Sequence, residues 1–299
     1  MIAEIPLNFK FEPKNSKLNY PQCRCGKCPH FYWNLLSVAS RGSGKTFNVC
    51  KLIKHYEDNK LIDNDGLVHP LRTIVISPTL DQNPIFNNLK SLAEEDRHDK
   101  YSDSLLQSIV DEIKQEKENT KQYQEYLKAY NKTMTINQGK LNEFFKKNPD
   151  IFDLLNKYDF EDPANIKPKY LVSPVNIILL DDMMGSADAF SNKKASVLLN
   201  NLIKNRHNSI CFALLVQSVK SVQKSVRANC NLFFIGKFAS KKMVLQDFYE
   251  EISNVLTEEQ FEELYDYCVK DNQYGSLIID TTHKEKRFLN GLDGELLLK

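Results

Sequence analysis

Apolar residues in this 299-residue chain fall into short runs separated by longer polar stretches, and the runs themselves differ in kind. FYWNLLSVA (31–39), RTIVISPT (72–79), VNIILLDD (175–182), SICFALLVQS (209–218), NLFFIGKF (231–238) and GSLIID (275–280) are continuously apolar and rich in β-branched or aromatic residues. Each reads as a strand, FYWNLLSVA as one buried on both faces and RTIVISPT as a second buried strand stopped by Pro78. Between them the apolar positions change to a period of three to four. Val49, Cys50, Ile53 and Tyr56 predict a helix from Lys45, and Ala195, Leu198, Leu199, Leu202 and Ile203 predict one over 192–205. Further helical stretches are predicted over 240–252 and 257–270. Strands alternating with helices imply a mostly parallel central sheet flanked by helices, an α/β fold with right-handed crossovers.

Two segments stand outside this alternation. Residues 1–31 are Pro-, Asn- and Lys-rich and end in CRCGKCPH, which reads as an extended arm. Residues 97–168 are rich in Lys, Glu, Gln, Asn and Tyr, with Leu105, Leu106, Ile109, Val110 and Ile113, then Tyr123, Tyr126, Leu127 and Tyr130, at helical intervals. They predict an inserted helical hairpin with a structural or partner-docking role. The expected organisation is therefore an arm over 1–31 and one α/β domain over 32–299 carrying the insertion.

Candidate chemistry begins where the first buried strand meets its helix. Ala39-Ser40-Arg41-Gly42-Ser43-Gly44-Lys45-Thr46 fits the relaxed phosphate-loop pattern, with Ala39 where the strict form asks for Gly. Gly42 and Gly44 permit backbone angles that turn successive amides inward as an anion nest at a helix N-terminus. Lys45 is placed to reach the β- and γ-phosphates of ATP, and the Thr46 hydroxyl to ligate Mg2+. A magnesium-nucleotide site also needs a carboxylate at the carboxyl end of a neighbouring strand. VNIILLDD supplies Asp181 to hold the ion through water and Asp182 to polarise the attacking water; Asp182 is shorter than the commoner Glu and must approach more closely. An Asp-Asp helix cap is the plain alternative for that pair. Gln217, at the end of the next strand, is placed to hydrogen-bond the γ-phosphate or lytic water.

The order ASRGSGKT, ILLDDM, NRHNSICFALLVQS, SVRANCNLFFIGKF resembles the genome-packaging ATPases of large double-stranded DNA viruses, virophages and polinton-like elements, within the FtsK-HerA division of P-loop ATPases. The resemblance covers 32–240. It implies an ASCE, RecA-like P-loop NTPase that assembles as a homo-oligomeric, hexameric ring and threads double-stranded DNA into a preformed capsid at a portal vertex. Lys45, Thr46, Asp181, Asp182 and Gln217 match its motifs. Arg206 and Arg227 occupy its two candidate arginine-finger positions, Arg206 being preferred. A cellular or plasmid HerA-FtsK-type translocase and an inactive P-loop assembly scaffold are the competing readings.

Charge and cysteine usage refine this picture. Lys plus Arg (40) balance Asp plus Glu (39), but residues 189–246 hold ten cations and no acid (Lys193, Lys194, Lys204, Arg206, Lys220, Lys224, Arg227, Lys237, Lys241, Lys242). Such a stretch suits sequence-independent phosphate binding. Residues 247–266 invert it with eight acids. Cys23, Cys25, Cys28 and His30 offer four zinc ligands in eight residues; reduced thiols in an arm, or three ligands completed by a distant residue such as His283, are the alternatives. Cys50, Cys211, Cys230 and Cys268 sit singly in apolar stretches as core residues do. No signal-peptide pattern opens the chain and no run of 18 apolar residues occurs, so an intracellular protein with no membrane span is expected, in host cytoplasm or viral factory and associated with the virion.

Overall fold

A computed structural model of the chain describes residues 19–182, 196–238 and 240–298. Its main sheet has nine strands in the order β12-β11-β10-β9-β2-β8-β7-β5-β6. In chain order these are β2 (Asn34–Val38), β5 (Leu71–Ile76), β6 (Arg97–His98), β7 (Val175–Asp181), β8 (Ile210–Val216), β9 (Leu232–Gly236), β10 (Ser276–Asp280), β11 (Arg287–Asn290) and β12 (Gly294–Leu296). A second, three-stranded sheet is formed by β1 (Gln22–Cys23), β3 (Leu61–Ile62) and β4 (Val68–His69).

From β9 to β6 every pairing is parallel. Successive side chains of each strand enter opposite cores. Leu36, Val38, Ile178, Leu180, Phe212 and Leu214 belong to one apolar cluster, whereas Leu35, Ile177, Leu179, Cys211, Ala213 and Leu215 belong to the other. This two-sided burial is why the strands read as continuous apolar runs rather than alternating ones. Helix α1 (Lys45–Asp58) covers the second face with Val49, Leu52, Ile53 and Tyr56. The first face is covered by α2 (Asp103–Met134), α5 (Val197–Ile203), α8 (Lys241–Ile252) and α9 (Glu258–Val269).

The far edge departs from the parallel expectation, because β10, β11 and β12 are antiparallel. Two helices, α8 and α9, separate β9 from β10, so the chain returns to the carboxyl end of the sheet before re-entering it. A single crossover helix would have produced another parallel strand.

Segment 97–168 is built around one long helix. Ser102 caps α2 by accepting from the Leu105 amide at 3.0 Å, and the amino half of the helix buries Leu106, Ile109, Val110 and Ile113 against the sheet. The carboxyl half extends onward, the whole helix being about 48 Å long. There α3 (Leu141–Lys147) and α4 (Pro149–Asn156) fold back, α4 closing a small core of Tyr126, Ala129 and Leu155. At its root, Arg72 on β5 is buried and bonded to Asp96 on two edges, to Glu112 and to Glu116. The expected helix start at Asn192, with Lys193 and Lys194, lies outside the described residues.

Candidate active site

The loop after β2 is fixed by backbone hydrogen bonds to both flanking strands: the Ala39 amide donates to Val216 O at 3.3 Å and the Ser40 amide to Lys237 O at 3.0 Å. Gly42 (φ 75°) and Gly44 (φ 78°) adopt the left-handed conformation the turn demands. Gly44 is the N-cap of α1 and brings no capping side chain, so the first-turn amides remain open for an anion. Lys45 Nζ donates to Ala39 O at 2.9 Å and to Ser40 O at 3.3 Å, which lays the ammonium across the loop. Burial pulls the Lys45 pKa down, opposed by the charges of Asp181 and Asp182.

β8 lies between the loop strand and β7. The span is bridged by side chains: Thr46 Oγ1 donates to Asp181 Oδ2 at 3.0 Å. Asp181 is 4% exposed, and burial raises its carboxyl to about 6, partly countered by the Thr46 hydrogen bond. The next residue, Asp182, has φ 55°, a left-handed angle unusual outside glycine. That turn directs its carboxylate to Gln217, whose Nε2 donates to Asp182 Oδ1 at 2.9 Å. Lys45, Thr46, Asp181, Asp182 and Gln217 thus converge at the carboxyl ends of three adjacent strands.

Three contributors were not visible in the motifs. Ala39 faces Gly236 on β9, where an added Cβ would lie 2.8 Å from that of Ala39. The absence of a side chain at 236 makes room for Ala in the loop's first position. Tyr274 packs its ring on Gly44, 3.2 Å from where a Cβ would stand. Asn48 Nδ2 donates to Tyr274 O at 3.2 Å and to Ser276 Oγ at 3.3 Å, tying α1 to the start of β10.

The two arginine candidates separate clearly. Arg227, at the end of α7 (Lys224–Arg227), is committed within its own chain. Its Nε donates to Glu251 Oε1 at 2.7 Å, and its Nη1 donates to the carbonyls of Val219 and Val222. Arg206, on α6 (Asn205–Asn208), is exposed and precedes β8, at the end of the sheet remote from its own phosphate loop. The acid-free interval is also less unopposed than its sequence suggests. Lys220 pairs with Asp247 at 2.6 Å and Arg227 with Glu251, so the following acidic stretch neutralises two of its cations. Lys204, Arg206 and Lys224 are exposed.

The cysteine run gathers as expected, but with a different histidine. Cys23, Cys25, Cys28 and His55 place their donor atoms within 4.8 Å of one another. His30 lies outside this group: its ring is tilted against that of His283, centroids 3.7 Å apart, and its amide donates to Thr282 Oγ1. His283 in turn contacts Cys28 O rather than a sulfur. In this part of the chain Cys23, Cys28 and Phe31 are buried in the α1-side core.

A glycine-bearing loop at the head of α1, with a strand-end carboxylate reached across an intervening strand, is set at the carboxyl ends of the parallel strands of an α/β fold. No family model matches the sequence, and no curated protein matches it. Among solved structures the chain is similar to the genome packaging NTPase B204 from Sulfolobus turreted icosahedral virus 2, at 13% identity over 89% of this chain and 98% of that one, TM-score 0.44. It is also similar to ATPases 2 and 3 of EssC from Geobacillus thermodenitrificans, at 12% identity over 87% of this chain and 39% of that one, TM-score 0.46. A third similarity is to the N-terminal domain of zonular occludens toxin from Neisseria meningitidis, at 15% identity over 71% and 78%, TM-score 0.31. Among the described residues no helix is long and apolar enough to cross a membrane.

Proposed function

We propose that this chain hydrolyses ATP to translocate double-stranded DNA into a preformed capsid, working as a hexameric ring at the portal vertex. The observation that carries the catalytic part is the 3.0 Å approach of Thr46 Oγ1 to Asp181 Oδ2. A hydroxyl and a buried carboxylate are hard oxygen donors aimed at one point, which suits Mg2+. Thr46 would hold that ion directly and Asp181 through water, and the ion when bound would neutralise negative charge on the phosphates.

The chain's own groups do the rest. The loop amides beyond Ser40, which is itself held by Lys237 O, the first-turn amides of α1 and the Lys45 ammonium hold the phosphates, and the Lys45 contacts to Ala39 O and Ser40 O are exchanged for phosphate oxygens. Asp182 orients the attacking water and accepts its proton. Gln217, already bonded to Asp182, ties the position of that carboxylate to the end of β8, so a change at the γ-phosphate is felt by the strand. Arg206 serves as the finger in the neighbouring subunit's site, which its exposure allows and the commitments of Arg227 do not.

The DNA part rests on the motif order and on the exposed Lys204, Arg206 and Lys224. A translocase must hold phosphates without reading bases, and such contacts weaken steeply with salt. The test is steady-state ATP turnover of the purified chain with and without long duplex DNA, at low and moderate salt, alongside Lys45→Ala. Turnover that rises with DNA, falls with salt and vanishes in Lys45→Ala is expected. Turnover that survives Lys45→Ala overturns the catalytic assignment; turnover indifferent to DNA overturns the motor.

A further inference from the structure

We infer that Cys23, Cys25, Cys28 and His55 form a structural zinc site that clamps the amino-terminal segment to the last turns of the phosphate-loop helix. Cys23 Sγ and Cys25 Sγ are 3.2 Å apart, Cys25 Sγ and Cys28 Sγ 3.4 Å, and His55 Nε2 is 3.5 Å from Cys25 Sγ. Tetrahedral zinc with ordinary Zn–S and Zn–N bonds would set sulfurs roughly 3.8 Å apart and sulfur and nitrogen about 3.6 Å apart. The three separations that involve Cys25 stand slightly inside those values, and all four donors lie within 4.8 Å of one another.

Backbone geometry supports the same conclusion. Gly26, at φ 67°, closes a turn in which its amide donates to Cys23 O at 3.0 Å, and this reversal returns Cys28 to the side of Cys23. The Lys27 amide points at Cys25 Sγ at 3.5 Å, the kind of N–H to sulfur contact that supports a thiolate ligand. The segment is held from outside as well. β1 pairs with β3, immediately after α1, through Gln22 with Ile62 and Cys23 with Leu61, and the Arg24 amide donates to Lys60 O at 2.9 Å.

A disulfide would use two of the three thiols and strand the third, half-buried, against it. Zinc uses all three, exchanging their protons for the ion, and takes the histidine as fourth ligand. The ligand set crosses from a short knuckle to a helix that is fixed independently by the core. It therefore meets the requirement a single eight-residue loop could not, namely wrapping an ion completely.

The test uses the full chain purified from zinc-supplemented culture without a polyhistidine tag. Elemental analysis should give about one zinc per chain. Replacement by Co2+ should give the intense visible bands of a tetrahedral thiolate-rich site. His55→Gln should lower zinc affinity at least about tenfold in competition with a chromogenic chelator and alter the cobalt spectrum, whereas His30→Gln and His283→Gln should leave both unchanged. Both comparisons alter histidines rather than the buried cysteines, so the result stands even where Cys23→Ser fails to fold. Absence of bound zinc, a mass two daltons low from an internal disulfide, or loss of metal in His30→Gln equal to that in His55→Gln would overturn the site. None of these outcomes depends on ATP turnover, so the site and the motor reading fail separately.

Discussion

Asp181→Asn should stabilise the metal-free fold at neutral pH while abolishing hydrolysis, and the magnitude follows from its surroundings. Burial lifts the carboxyl from 3.8 to about 6 in the folded chain, against the Thr46 hydrogen bond that favours ionisation. In the unfolded chain it titrates near its ordinary value. Between these two pH values the folded state binds the extra proton, so stability falls as pH rises through the window and the full cost of an ionised buried carboxylate is present above pH 6. At about 1.36 kcal/mol per tenfold in the ionisation constant, that cost is about 3 kcal/mol at pH 8 and about 0.5 kcal/mol at pH 4. The asparagine keeps an oxygen to accept from Thr46 Oγ1 and carries no charge, so it escapes this cost. Urea unfolding of both proteins in EDTA, followed by circular dichroism from pH 4 to pH 8, isolates the effect, because titrating groups that do not sense the Asp181 charge cancel in the difference. The stability of Asp181→Asn minus that of wild type should climb by about 2.5 kcal/mol across the range. A difference that is flat with pH, or that falls, would refute the reasoning; a constant offset would not, since it reports only the changed hydrogen bond.

The remaining predictions probe the framework and the subunit contact. Arg72→Leu should cost about 3–5 kcal/mol in urea unfolding, because it leaves Asp96, 2% exposed, as a buried charge without its bidentate partner; a loss under about 1 kcal/mol would show the network is solvated. Gly236→Ala should weaken binding of a non-hydrolysable ATP analogue, since its Cβ would stand 2.8 Å from that of Ala39. Adding Ala39→Gly should recover that affinity, and no recovery would mean the two positions are not opposed. Mixing Arg206→Ala subunits with Asp182→Ala subunits should restore part of the turnover each lacks alone, and inactivity at every ratio would exclude Arg206 as the finger acting between subunits.

What could be read from sequence was what local composition determines. β2, β5, β7, β8 and β9 announce themselves because two-sided burial demands an unbroken apolar run, and Gly42 and Gly44 because the loop needs left-handed residues. The same locality made Thr46 and Asp181 legible: each ends or follows such a run. What escaped depends on distant pairing. RFLN and GEL, which form β11 and β12, are too short and mixed to read as strands, and exist because β10 offers an open edge. Gly236, Tyr274 and Asn48 complete the loop through contacts across nearly 200 residues or more of chain, and no spacing rule reaches so far. His30 was the natural fourth ligand by proximity in sequence, yet the turn at Gly26 faces the sulfurs toward α1, where His55 waits 27 residues beyond Cys28.

Both ends of α1 therefore carry proposed sites, and the helix between them is held by core packing. Thr46 stands in its first turn and His55 near its last, nine residues or about 14 Å apart along the axis. Val49, Leu52, Ile53 and Tyr56 are buried between them, and the Tyr56 hydroxyl accepts from Trp33 Nε1 and donates to Pro29 O, just past the cysteine turn. At the other end Asn48 binds α1 to β10. Core packing along its length and the strand at its amino end hold this helix in place, and the proposed zinc would add a third restraint at its carboxyl end. If the chain is the motor proposed above, the motion that couples hydrolysis to a partner would arise on the opposite wall, where Asp182 sits in a left-handed turn and is joined to Gln217 by a hydrogen bond that a change in the γ-phosphate would break and remake.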